Sequence, residues 1–198
     1  MKGDMIMKTN IVKESSRGYD IIRPEDQLCM ERKIFFTEEV TPESAAELIQ
    51  VLLYLESDDP SREICLYLNT PGGEVSSGLA VYDTILGLTC KVRTVCIGTA
   101  ASMGSILFLA GSTRQILPHA QVMIHDPLIS GLSGSKNALA LDREARKLMK
   151  TREMLGRILS ERTGRSIDEV LEMTREDYYL DADQALAFGI ATEIVNRA

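Results

Sequence analysis

The chain has 198 residues and a formal net charge of −7. That length supports one domain with a sizeable core, or a core domain with an appendage, and the acidic balance argues against general nucleic-acid binding, since no broad cationic face can neutralise phosphates. The four cysteines (Cys29, Cys65, Cys90, Cys96) form no CxxC pair and only two histidines accompany them, so no Cys/His metal site is expected and a reduced, cytoplasmic compartment is. The longest apolar run, Ile106 to Ala110, is far short of a bilayer span, and Met1 to Arg17 lacks an apolar stretch of signal-peptide length. A soluble protein with no membrane partner is expected.

Residues 1–33 read as an irregular arm, with a polar stretch at Ser15-Ser16-Arg17-Gly18 and a turn at Pro24-Glu25-Asp26. Residues 34–198 read as one domain. Ile34-Phe35-Phe36 suggests a short strand. Thr41-Pro42 opens a helix whose apolar face is Leu48, Ile49, Leu52, Leu53 and Leu55. Ile64 to Leu68 is a strand, Asn69 to Gly73 a sharp turn, and Ser77 to Leu88 a helix. Val92 to Gly98 is a strand leading into an apolar helix from Ser102 to Ala110, closed by Gly111. Gln115 to Leu117 and Gln121 to His125 read as short strands, and Gly131 to Asn137 as a loop. Ala138 to Arg162 is a long helix ended by Gly164; its basic residues interleave with acidic ones, as on a solvated face. Ser166 to Glu169 and Asp181 to Gln184 carry the capping-box pattern, the second opening a helix that stops at Gly189. Ile190 to Val195 closes the chain as a strand. This alternation predicts crossover connections, a mostly parallel α/β sheet, and a site at the carboxyl ends of strands. The Gly72-Gly73 turn and Ser102 both fall at such ends.

Ser102 is the most suggestive residue. Amides in the first turn of a helix lack intrahelical partners and attract negative charge, so a hydroxyl there sits where an oxyanion can be held. The alternative is a plain helix N-cap. His125 ends a strand just before Asp126-Pro127, and Pro127 keeps that residue out of helix, so the imidazole is expected at the same sheet edge. It is otherwise a polar edge residue. His119, after Pro118, reads as a surface residue. Asp126 is adjacent to His125, but neighbours on a strand point to opposite faces. Asp177 lies in a turn region beside Tyr178 and Tyr179, two aromatics able to bury a carboxylate. Periodicity leaves it one candidate among several. The amides of Gly73 and Met103 are placed to converge on a carbonyl oxygen; a plain β-turn is the alternative at Gly72-Gly73.

Four ordered segments carry a resemblance. Asn69-Thr70-Pro71-Gly72-Gly73-Glu74-Val75 resembles the NSPGGSV segment of the ClpP family, the proteolytic subunit of the ATP-dependent Clp protease. Ala100 to Gly104 is similar to its ASMG motif, Val122 to Pro127 to its MIHQP motif, and Thr174 to Leu180 to the segment holding its catalytic aspartate. The resemblance spans nearly all the chain from about Ile34. It implies an α/β, ClpP/crotonase-like fold with a mostly parallel sheet, flanking helices and a long protruding handle helix in the region of about 128–163. It implies a serine endopeptidase with Ser102 as nucleophile, His125 as general base, Asp177 as orienting acid, and Gly73 and Met103 as oxyanion-hole amides. Gly131 and Gly134 match the glycine-rich strand that receives unfolded polypeptide by strand addition. The arm matches an axial loop. Two stacked heptameric rings, a tetradecamer of this chain, are implied, with a Clp-type AAA+ unfoldase as partner. That partner uses ATP, while this subunit takes no cofactor and no metal.

Several departures stand out. Asp126 replaces the family's Gln, adding a carboxylate beside the base that favours the imidazolium. Arg175-Glu176 reverses the usual acid-then-Arg order, which bears on the ring–ring contact. The segment from Gly111 to Pro118 is shorter, and the arm at Pro24 to Cys29 differs. Together they point to a divergent paralogue working beside a second ClpP-type subunit. A crotonase-type enzyme acting on acyl thioesters, and a non-catalytic ring subunit, are the alternatives.

Overall fold

In the computed structural model, which describes residues 10–15, 18–128 and 137–197, the arm is not irregular. Strands β1 (Ile11–Ser15) and β2 (Gly18–Ile22) pair antiparallel, and Pro24 starts a short helix, α1 (Pro24–Met30). Pro24 suits the first helical position, where its missing N–H costs nothing. None of α1 is buried, and Val12, Tyr19 and Ile21 are exposed. Elements that bury so little, here chiefly Cys29 half-buried against the core, leave no periodic signal in the sequence.

From there the chain alternates. It runs through β3 (Lys33–Phe36), α2 (Pro42–Asp58), β4 (Ile64–Thr70), α3 (Val75–Gly87), β5 (Val92–Ala101), α4 (Met103–Ala110), β6 (Thr113–Ile116) and β7 (Gln121–Ile124). After the segment 125–137 follow α5 (Ala138–Thr163), α6 (Ile167–Met173), β8 (Tyr178–Leu180), α7 (Ala182–Phe188) and β9 (Glu193–Ile194). The sheet order β3-β4-β5-β6-β9 is parallel throughout, as the alternation demands. Six of the seven β4 residues are buried, as in a strand covered on both faces.

The long strand β5 splits the sheet. Arg93 to Cys96 pair with β6, whereas Thr99 to Ala101 pair with β7, which in turn pairs antiparallel with β8. The end of β5 is thereby carried beyond the main sheet, and Ser102 sits on it. All eight residues of α4 are buried, as expected of a helix apolar all round. It packs among α3, α5, β5 and β7. The buried side of α2 is Ser44, Ala45, Leu48, Leu52 and Leu55; Leu53 points to solvent, one residue off that stripe. Gly111 ends α4 with φ −60°, not in the left-handed region; a Cβ there would lie 2.3 Å from the Thr94 hydroxyl. Close packing is therefore what requires glycine at that position. Gly164 and Gly189 do take left-handed conformations at the ends of α5 and α7. The closing strand is two residues long, shorter than the pattern Ile190 to Val195 suggests. Among the described residues no helix is long and apolar enough to cross a membrane.

Candidate active site

Ser102 joins β5 to α4 with φ 52° and ψ −121°. Among the described non-glycine residues only Arg32 shares a positive φ. Such a conformation costs roughly 1–3 kcal/mol and persists only where surrounding structure enforces it. Here the Ser102 N–H donates to the Met123 carbonyl at 2.9 Å, and its own carbonyl accepts from the Ser105 N–H and hydroxyl. Ser102 occupies the N-cap position, but its side chain caps nothing. Its Oγ lies 2.8 Å from His125 Nε2.

The other imidazole nitrogen, Nδ1, lies 3.1 Å from Asp177 Oδ1. With the carboxylate accepting from Nδ1–H, Nε2 is left to accept from the serine hydroxyl. Strand pairing sets this alignment. The β7–β8 register runs Val122 with Leu180, Met123 with Tyr179 and Ile124 with Tyr178. The next step along the same ladder sets His125 opposite Asp177. The sequence pattern does not reveal β8, because three residues between a helix and a cap carry no periodicity. The aromatic pair Tyr178-Tyr179 is the signal that favours a strand there. These tyrosines do not bury the carboxylate: in the single chain the Asp177 side chain is 59% exposed, against 14% for His125.

The glycine turn is tied to the same point. Gly72 and Gly73 have φ values of 94° and 147°. A Cβ on Gly72 would lie 2.5 Å from the Ala101 carbonyl oxygen and 2.7 Å from Ser102 Cβ; one on Gly73 would lie 2.2 Å from the Val40 carbonyl oxygen. Val40 donates its N–H to the Gly72 carbonyl and accepts from the Glu74 N–H, forming a parallel bridge to Gly73. In such a bridge the amide of Gly73 itself points away from Val40. The Met103 amide opens α4 and has no intrahelical acceptor. Both residues, with Ser102 and His125, line a cavity of about 970 Å³.

Asp126 does not face the imidazole. Its Oδ2 accepts from Arg152 Nε at 2.5 Å, its Oδ1 from the Thr174 hydroxyl at 2.7 Å, and its N–H donates to the Thr174 carbonyl at 2.6 Å. The expected carboxylate beside the base is thus neutralised by Arg152, which also donates to the Leu171 carbonyl at the end of α6. This clamp joins the strand end bearing His125 to α5 and to the turn before Asp177. Sequence reading missed Arg152 and Thr174, which lie 26 and 48 residues from Asp126. Arg175 pairs locally with Glu172, and Glu176 is exposed. Gly131 and Gly134 lie outside the described residues. Helix α5 has 26 residues, and those it buries, Leu155, Gly156 and Leu159, are confined to its second half.

The family model for Clp protease matches residues 13–198 of this chain. Among curated proteins, the chain is similar to the ATP-dependent Clp protease proteolytic subunit 1 of Gloeobacter violaceus. The two are 41% identical over 172 residues, covering 86% of each.

Proposed function

This chain belongs to the Clp protease family, and from that premise we propose that it is the proteolytic subunit of an ATP-dependent Clp protease, a serine endopeptidase that cuts unfolded polypeptides into short peptides. Ser102 Oγ attacks the peptide carbonyl while His125 Nε2 takes its proton. The imidazolium then protonates the leaving amine, and water hydrolyses the acyl-enzyme by the same route. Asp177 orients the ring and stabilises its charged form. The Gly73 and Met103 amides hold the oxyanion, where loss of one such donor typically costs about 10²–10³ in rate. The observation that carries this reading is the chain of contacts from Ser102 Oγ to His125 at 2.8 Å and on to Asp177 at 3.1 Å.

The wider reading follows the family. Copies of this chain form two stacked heptameric rings, with or without a second ClpP-type subunit, and α5 serves as the handle between rings. A Clp-type AAA+ unfoldase feeds the chamber and consumes the ATP, so this subunit works without cofactor or metal in the cytoplasm. The decisive experiment is labelling of the assembled protein with a fluorophosphonate probe, followed by peptide mapping, alongside a Ser102→Ala variant. The label is expected on Ser102, and cleavage of small fluorogenic peptides is expected to fall by more than about 10³-fold. A label on another residue, or a wild-type rate in the variant, refutes the assignment.

A further inference from the structure

Among the described residues, the acidic and basic side chains lining the cavity beside Ser102 are of one sign. The lining includes Glu39 and Glu74 and no Lys or Arg among the described residues. Neither glutamate has an ion-pair partner among the described residues, in contrast to Asp126, which Arg152 neutralises. Glu74 is also held in place: Oε1 accepts from the Ser76 hydroxyl and Oε2 from the Ser77 hydroxyl, each at 2.6 Å. Those two hydrogen bonds hold its carboxyl below the usual range. The rest of the lining is largely apolar, with Val75, Ile106, Leu155 and Leu159. A cavity of this make-up suits a side chain with an apolar stem and a cationic head.

Position supplies the other half of the argument. Glu74 directly follows Gly73, so their Cα atoms are about 3.8 Å apart. An extended substrate advances about 3.3–3.4 Å per residue. With the scissile carbonyl oxygen at the Gly73 amide, a glutamate side chain from the next residue reaches substrate side chains one or two positions from the cut. Lys and Arg can lay their methylenes along the apolar lining and present the charge to the carboxylate.

We propose that this site selects substrate segments with Lys or Arg within two residues of the scissile bond and discriminates against Asp and Glu there, Glu74 being the main specificity-determining residue and Glu39 the second. The proposal rests on the peptidase reading above. The net charge of −7 acts in the same direction, drawing cationic segments toward the protein. Both glutamates are exposed, so the preference is modest and sensitive to salt.

The test uses the assembled protease and matched quenched fluorogenic peptides that differ only by Lys, Gln or Glu on either side of one apolar residue. Expected is a kcat/KM ratio of about ten between the best Lys peptide and its Glu counterpart at 50 mM salt, shrinking several-fold at 500 mM. Within each variant the Lys-to-Glu ratio cancels any change in overall activity. It should approach one in Glu74→Gln, fall partway in Glu39→Gln, and invert in Glu74→Lys. Fluorophosphonate labelling of Ser102 is read in parallel on the wild-type protein. Labelling together with equal rates for the three peptides, or a ratio unmoved in both neutral variants, overturns the proposal and leaves the peptidase reading standing. Absence of both labelling and cleavage overturns the peptidase reading and this proposal with it.

Discussion

The clamp at Asp126 makes a sharp energetic prediction. Replacing Arg152 by Gln removes the cation that contacts Asp126 at 2.5 Å and leaves a carboxylate whose remaining side-chain partner is Thr174. Exposed ion pairs contribute about 0–1 kcal/mol, whereas breaking a buried pair costs about 3–5 kcal/mol. The two side chains are 19% and 27% exposed, which places the loss between these limits, at about 2 kcal/mol. For a domain of this size that lowers Tm by about 4–8 °C. Asp126→Asn strands the guanidinium instead but keeps a hydrogen bond, costing about 1 kcal/mol. The double variant, Asp126→Asn with Arg152→Gln, restores a neutral pair. It should melt higher than Arg152→Gln alone, with a coupling energy of at least about 1 kcal/mol. Because the clamp ties the neighbour of His125 to the turn before Asp177, Arg152→Gln should also lower kcat about ten- to a hundredfold, with a smaller change in KM. Thermal melts at equal protomer concentration and steady-state cleavage of one small peptide measure both. Strictly additive melting shifts across the cycle, with kcat unchanged, refute the clamp.

Three further outcomes follow from named contacts. Gly73→Ala forces a Cβ to 2.2 Å from the Val40 carbonyl oxygen, so the turn must shift; peptidase activity should fall about 10²–10³-fold, read as kcat on a small fluorogenic peptide. Leu107→Ala, at a side chain with no solvent exposure in α4, should cost about 2–5 kcal/mol in denaturant unfolding, because a helix enclosed on all sides cannot collapse around the void. Burial pushes the Cys96 thiol up to about 12. At pH 8 its thiolate fraction is then about 10⁻⁴, so iodoacetamide should leave Cys96 unmodified in the native protein and alkylate it after unfolding, as mapped by mass spectrometry.

Much of this architecture is legible in the linear pattern. Period-3.6 stripes and buried apolar runs mark α2, β4, α3, β5 and α4, and their alternation already requires a parallel sheet. The strand ends then place the Gly72-Gly73 turn and Ser102 on one edge, since both follow adjacent parallel strands. Those features are local or nearly so, and local chemistry writes them into neighbouring residues. What the pattern cannot express is contact between segments far apart. Asp177 stands out from other acids only once β8 pairs with β7 and extends their register to His125. Asp126 reads as a charge beside the base until Arg152, on a helix 26 residues away, takes it up. The hairpin and α1 near the start bury too little to leave a trace in the sequence. Local spacing thus determined which residues could be chemical, because helix and strand periods are set within a few residues. Tertiary pairing decided which of them meet, because a hydrogen bond between two side chains depends on their separation in space and is blind to their separation along the chain.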